Sequence, residues 1–376
     1  MAPIATGFGE AEATKLLRAY GLRLLSLARI WKGTISENFR AETDIGPVFV
    51  RVSPGRSLVD AEFETQLIWH LLSHGLRTPA LFQAHNRDGF VRLPGALAMV
   101  YEWVDGYERT DEQIDDQHAH GIGQLLGQLH LCTSTFPRRR QGIYTLSHIE
   151  QRLRGLHRHP RRTDELVPVI SRLSTEAARL RRQKTTALPA GIGHCDLFPD
   201  NILFPRGRRK NSKGHELGPW MIDLEQAAWT TWVYDLAVSL LACTAPVPSD
   251  GKTETATRCG PLALGPARAL IVGYQRMRLL SDAEWTGLYA ALKTACVRFA
   301  TTRITDVHLA QASEPQSPAA ADPADGPLDN DAEPETDLDG PSGEIAHSKD
   351  YRDYLYRLDR LEEIDPATLI FALRDR

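Results

Sequence analysis

Three oxygen-bearing side chains at characteristic spacing occupy the middle of the chain. Asp196 sits within Gly193-His194-Cys195-Asp196-Leu197-Phe198-Pro199-Asp200-Asn201, Asn201 follows five residues later, and Asp223 comes directly after the apolar pair Met221-Ile222. A carboxylate, a neutral amide and a second carboxylate suit transfer of a γ-phosphoryl group from ATP to an alcohol. In that reaction the protein mainly positions the reactants and neutralises charge. Asp196 would accept the proton of the attacking hydroxyl, and Asn201 and Asp223 would be oxygen ligands for Mg²⁺. His194 is then structural, holding the loop rather than moving protons. An isolated His-x-Asp is ordinarily a surface turn; Asn201 and Asp223 reverse that reading.

The elements that must position these groups are readable from periodicity. Residues 11–24 have helical spacing, and residues 25–32, 38–43 and 47–53 read as three strands, the last two joined by a tight turn at Asp44-Ile45-Gly46. The loop Gly33-Thr34-Ile35-Ser36-Glu37-Asn38 is a candidate phosphate cover, with backbone N–H groups and the Ser36 and Asn38 side chains as donors. Taken alone it is more often an ordinary hairpin. Residues 58–74 read as a helix, 96–104 as a buried strand, and 115–131 as a helix whose last apolar position is followed by His130, a residue expected to pack in the core. Residues 150–184 are largely helical and basic. Residues 201–204 and 220–222 form a hairpin around the polar loop 205–219, and Tyr234-Asp235-Leu236-Ala237 opens a buried helix. Asp235 could bond the catalytic loop or simply favour the helix N-terminus. Helices are expected over 267–278 and 282–308, the second opened by the capping box Ser281-Asp282-Ala283-Glu284, and a terminal helix over 349–361.

Composition limits the alternatives. A chain of 376 residues with 42% hydrophobic content supports one large or two medium domains around a packed core. Its first ten residues lack a basic region and an apolar run, and the longest apolar stretch, 233–247, is too short to span a bilayer and contains Asp235. A cytoplasmic protein with no membrane partner is expected. Five widely spaced cysteines with no Cys-x-x-Cys pair suggest neither a disulfide framework nor a zinc site. The net charge of -4 is uneven: residues 314–344 hold ten acidic residues and no Lys or Arg, leaving the remainder net positive. Residues 311–346 are expected to be a disordered acidic insertion. Basic clusters without interleaved aromatics argue against a nucleic-acid partner. Oligomeric state cannot be read from the sequence.

The motifs His194-x-Asp196-Leu197-x-x-x-Asn201, Ile222-Asp223 and Tyr234-Asp235-Leu236-Ala237 together resemble the aminoglycoside phosphotransferase and choline kinase superfamily. Within it the chain is most similar to the second type of homoserine kinase. That similarity is carried by Asp196-Leu197-Phe198-x-Asp200-Asn201-x-Leu203-Phe204, Gly273-Tyr274-Gln275-x-x-Arg278-x-Leu280, Arg298-Phe299, Arg303-x-x-Asp306-x-His308 and His347-x-Lys349-Asp350. The resemblance implies an α+β, two-lobed protein-kinase-like fold. Residues 1–104 would be a small antiparallel-sheet lobe with one major helix, and residues 105–376 a mainly helical lobe. It also implies ATP and Mg²⁺ as co-substrates, and phosphorylation of homoserine in threonine synthesis.

Within such a fold Arg51 stands where kinases keep an ATP-positioning lysine, with Glu64 as its ion-pair partner; the alternative places Arg51 in solvent on an alternating strand. Backbone groups from Glu102 to Val104 would meet the adenine edge at an inter-lobe hinge. A zwitterionic acceptor needs a cation for its carboxylate and an anion for its ammonium, which Arg298 or Arg303 with Asp200, Glu225 or Asp306 could provide. Residues 299, 303 and 306 share a helical face, either as a substrate surface or as an internal Arg-Asp pair. Departures from the homoserine-kinase pattern at Ser36, Pro199 and Leu224-Glu225-Gln226 keep aminoglycoside and choline-like acceptors open. A nucleotide-binding scaffold without activity is the third reading, with Arg51 in its favour.

Overall fold

The computed structural model describes residues 7–31, 36–183, 187–206, 218–245, 261–309 and 350–374. Strands β1 (Leu24–Ile30), β2 (Glu37–Thr43), β3 (Gly46–Pro54), β4 (Val91–Leu93) and β5 (Ala96–Glu102) form an antiparallel sheet in the order β1-β2-β3-β5-β4. The turn between β2 and β3 depends on Gly46, whose φ of +112° is open only to glycine.

Two-residue alternation decides what each face of the sheet does. Val48, Val50 and Val52 pack with Phe39, Ala41, Ala98 and Val100 against Leu16 and Leu17 of helix α1 (Glu10–Arg18). Arg51, Met99 and Tyr101, out of phase by one residue, face helix α2 (Leu58–Ser73) and its buried Glu64. Ser57 caps α2 by accepting the Asp60 N–H at 3.1 Å. The odd register of β3 therefore carries charge into the space between sheet and helix.

Residues 103–105 lead from this sheet to β6 (Gly106–Tyr107), which pairs with β8 (Ile202–Pro205); β8 in turn pairs with β9 (Trp220–Met221). A second small ribbon joins β7 (Ala190–Gly193) to β10 (Ala228–Thr231). The helices are α3 (Asp116–Thr133), α4 (Leu146–His157), α5 (Leu166–Arg182), α6 (Trp232–Cys243), α7 (Leu264–Met277), α8 (Asp282–Arg303), α9 (Tyr351–Glu363) and α10 (Pro366–Arg374). Helices α3 and α7 cross with backbones nearly touching: a Cβ on Gly123 would lie 1.9 Å from the Leu270 carbonyl oxygen, and one on Gly273 2.0 Å from that of His120. Only glycine fits either position, and the crossing brings Tyr274 beside His130.

The architecture agrees with the expected α+β arrangement of an antiparallel sheet with one major helix beside a mainly helical remainder. Several details differ. The largely helical stretch expected over 150–184 divides into two helices, α4 and α5, and the short elements β4, β6, β7, β10 and α10 were not anticipated. Helix α8 starts at its capping box, with the Ser281 N–H donating to Glu284 Oε2 at 2.9 Å, but loosens into a π-helical turn over Ile304–His308. Gly33, most of the loop 205–219 and the acidic segment 311–346 lie outside the described residues. No described helix is long and apolar enough to cross a membrane.

Candidate active site

The loop carrying Asp196 is pinned from beneath by a buried carboxylate. Pairing of β7 with β10 sets Gly193 opposite Ala228, and β10 runs directly into α6, bringing Asp235 of its first turn under the loop. Asp235 Oδ2 accepts the His194 N–H at 2.8 Å, and Oδ1 accepts the Cys195 N–H at 2.6 Å. Gly193 leaves room for this: a Cβ there would lie 2.6 Å from Asp235 Oδ2. Cys195 has a φ of +66°, a left-handed conformation costly for a residue with a side chain. Burial alone would raise the Asp235 carboxyl; the His130 hydrogen bond, His194 and the Cys195 N–H reverse that and hold it below the usual range.

His130 links the clamp to a longer buried chain. Its Nε2 lies 2.9 Å from Asp235 Oδ2 and its Nδ1 2.7 Å from the Tyr274 hydroxyl, which also accepts from Arg278 Nη1 at 2.9 Å. Arg278 in turn pairs with Glu284 at 2.8 Å, at the N-terminus of α8. The donors run one way: Arg278 to Tyr274, Tyr274 to His130 Nδ1, His130 Nε2–H to Asp235. This order describes a neutral imidazole with its proton on Nε2, the form that burial favours by lowering the His130 pKa. The sequence reading of His130 as a core residue missed this connection, since only the glycine-dependent crossing of α3 and α7 reveals it.

Asp196, Asn201 and Asp223 meet through short backbone links. Asn201 Nδ2 donates to the Asp196 carbonyl at 2.8 Å, so its Oδ1 is the atom turned away for other use. The Ile222 N–H donates to the Asn201 carbonyl at 3.0 Å, fixing Asp223 one residue beyond Asn201's partner. His194 is structural here: its Nε2 donates to the Ile222 carbonyl at 3.0 Å and its Nδ1 accepts the Asp196 N–H at 3.3 Å. Asp223 adopts φ 58°, ψ 69°, with 40% of its side chain exposed. Burial raises the Asp196 carboxyl despite Arg298, His194 and Arg303, a direction that favours proton acceptance near neutral pH. Among the described residues no cluster of three or more His, Cys, Asp or Glu side chains could hold a metal. One amide oxygen and one carboxylate instead fit Mg²⁺, which takes few protein ligands and completes its shell with substrate phosphates and water.

The sheet supplies the opposite wall. Arg51 is buried rather than solvated: it pairs with Glu64, donates to the Tyr101 hydroxyl at 2.6 Å, and places Nη1 3.3 Å from Asp223 Oδ1. Burial works against both charges, yet their mutual attraction keeps Glu64 ionised below its ordinary value and Arg51 firmly protonated. Ser36 Oγ lies 2.8 Å from Ser53 Oγ, and Asn38 sits opposite Arg51 in the β2–β3 register. At the hinge some backbone groups are already paired. The Glu102 N–H already donates to the Ala80 carbonyl at 2.8 Å, and the Val104 carbonyl accepts from Gly106 at 3.0 Å. The Val104 N–H has no partner among the described residues.

Arg56 and Arg140 were missed. Arg56 pairs with Glu64 and reaches within 3.6 Å of Glu225, while Arg140 Nε donates to the Ala227 carbonyl at 2.9 Å and braces the segment after Asp223. Arg56 forms no motif with its neighbours in sequence, and Arg140 belongs to the basic cluster Arg138-Arg139-Arg140, which reads as a solvated surface. Burial and the adjacent Asp223 push the Glu225 carboxyl up to about 7.

On the acceptor side the candidates separate. Arg298, 2% exposed, donates to the Cys195 carbonyl and lies 3.4 Å from the Tyr234 hydroxyl and 3.5 Å from Asp196 Oδ1. It therefore supports the loop and is not an open contact for an acceptor carboxylate, which removes one of the two cations the sequence offered for that role. Asp306 does not pair with Arg303; Arg152 Nη1 holds both its oxygens at 2.8 and 2.9 Å. Asp200 is exposed in the short turn Pro199–Asn201. Arg303 lies over Phe198, its guanidinium carbon 5.8 Å from the ring centre.

Comparison with known proteins agrees with this geometry. Residues 26–280 match the family described as Phosphotransferase enzyme family. A homoserine kinase of Nitrobacter hamburgensis is 29% identical over 317 residues, covering 81% of this chain and 86% of that protein. One from Burkholderia lata is 26% identical, covering 84% and 91%. Among solved structures, amicoumacin kinase hAmiN in complex with AMP-PNP and Ca²⁺ superposes with a TM-score of 0.63 at 15% identity, covering 96% of this chain and 97% of that one. The fold is thus the two-lobed, protein-kinase-like one.

Proposed function

Since the chain belongs to the phosphotransferase enzyme family, we propose that it transfers the γ-phosphoryl group of ATP to the hydroxyl of L-homoserine, as a homoserine kinase of threonine biosynthesis. The observation that carries this reading is the junction at Asn201, whose side chain binds the Asp196 carbonyl while its own carbonyl binds the residue preceding Asp223. Asp196 accepts the hydroxyl proton as the oxygen attacks phosphorus. Asn201 and Asp223 would hold Mg²⁺, which when bound neutralises charge on the phosphates. Arg51, oriented by Glu64 and Tyr101, grips the phosphate chain, and the Val104 N–H meets the adenine.

The acceptor is supported by the homoserine kinases of Nitrobacter and Burkholderia, which align over more than four-fifths of the chain. A second reading, a choline-like or aminoglycoside acceptor, rests on the departure from the homoserine-kinase pattern at Leu224-Glu225-Gln226, directly after Asp223. Acceptor profiling separates them: ADP formation with ATP and Mg²⁺ is measured alone, then with L-homoserine, choline and kanamycin. The proposed function predicts strongest stimulation by L-homoserine. Preference for choline or kanamycin would favour the second reading, and no stimulation by any acceptor would leave a nucleotide-binding scaffold.

A further inference from the structure

Resting on the reading of the acceptor as L-homoserine, we propose that Arg303 is the residue that binds the acceptor's carboxylate and selects for it. Two guanidiniums on α8 act on the Asp196 carboxyl, those of Arg298 and Arg303. Arg298 is consumed by the loop it supports. Arg303 is different. Among the described residues it makes no ion pair, and its Nε, like that of Arg298, is buried without a hydrogen-bond partner.

The carboxylate that the sequence offers to Arg303 is occupied elsewhere. Asp306 is held by Arg152 and by the Thr305 hydroxyl at 2.7 Å. The cause is local: the helix widens to a π-turn at Ile304–His308, so residues three apart no longer share a face as they would on a regular helix. Arg303 is left half-buried over Phe198, two residues from Asp196, with its charge felt by Asp196 and Tyr354. A partly buried cation without an anion is unfavourable unless a ligand supplies one. A carboxylate suits the guanidinium fork, because two parallel N–H···O bonds fix orientation as well as charge. An acceptor held there by its carboxylate presents its far end, the hydroxyl, toward Asp196.

The test compares L-homoserine with the amino-alcohol left when its carboxylate is removed, on wild type, Arg303→Met and Arg303→Lys, at fixed ATP and Mg²⁺. Arg303→Met should lower kcat/KM for L-homoserine by about 10²-fold, mainly through KM, and change that for the decarboxylated acceptor by no more than about threefold. Arg303→Lys should recover part of the loss. Equal losses on both acceptors, or a raised KM for ATP with the acceptor KM unchanged, would overturn the assignment, as would an Arg303→Met enzyme that uses L-homoserine normally. If wild type turns over neither acceptor, the homoserine reading itself fails and the assignment falls with it.

Discussion

Asp235 Oδ1 accepts the Cys195 N–H at 2.6 Å, joining the first turn of a buried helix to the left-handed residue immediately before Asp196. The strained turn persists because one carboxylate receives two successive N–H groups and a histidine N–H at once. Position of the catalytic carboxylate is thereby set by the core beneath the loop rather than by the loop alone.

Asp235→Ala should remove this clamp and leave three buried donors without an acceptor. We expect a stability loss of about 3 kcal/mol or more from denaturant unfolding. Asp235→Asn, of nearly the same shape, should fold but lose roughly 10²-fold in kcat with little change in KM for ATP, since small misplacement of a reacting group is costly. An Asp235→Asn enzyme with wild-type kcat would show that the loop holds itself.

The His130 link makes stability depend on pH in a defined direction. Burial keeps His130 neutral, so its folded pKa lies below the unfolded value of about 6.5, and the unfolded chain takes up the proton first as pH falls. Its contribution is present above about pH 6.5 and is lost as pH drops. His130→Gln, which retains a donor to Asp235 without titrating, should be less stable at pH 7 but show a shallower loss between about pH 7 and 5. Parallel curves for the two proteins would mean that His130 does not carry this dependence.

How much of this was legible in sequence depended on range. The spacing of Asp196, Asn201 and Asp223 and the Ser281–Glu284 cap are local signals, so their placement follows from chain order alone. Alternation in β3 gave the strand but left the environment of Arg51 open, because which face meets α2 is decided by Val48, Val50 and Val52 packing on α1. The pairing of residues 303 and 306 failed where the helix changes pitch. Arg298, Arg56 and the His130–Tyr274 contact are tertiary, the last joining residues 144 apart in the chain. Sequence periodicity carries no information about them.

Arg51 stands between Glu64 and Asp223, touching both the sheet's ion pair and the second metal-ligand candidate. Arg51→Met should lower kcat/KM for ATP by roughly 10²- to 10³-fold, the loss typical of removing one stabilising donor. Arg51→Lys keeps the charge but not the fork, so about a tenfold loss is expected. Steady-state kinetics with varied ATP decides this. A Lys variant faster than wild type would indicate that arginine restrains Asp223 instead of serving the nucleotide.

Asp223→Ala tests the metal assignment without relying on turnover. If Asp223 and Asn201 hold Mg²⁺ with the phosphates, ATP should raise the wild-type melting temperature more with Mg²⁺ than with EDTA, and that difference should vanish in the variant. Retention of the Mg²⁺-dependent shift in Asp223→Ala would place the ion elsewhere.

The most direct test is the rate of ADP formation by wild type and Asp196→Asn at saturating ATP, Mg²⁺ and L-homoserine, with melting temperatures confirming that both are folded. Wild type should show acceptor-dependent turnover, and Asp196→Asn should lose roughly 10³-fold in kcat, consistent with removal of a general base. Undiminished turnover in Asp196→Asn would contradict phosphoryl transfer through this carboxylate.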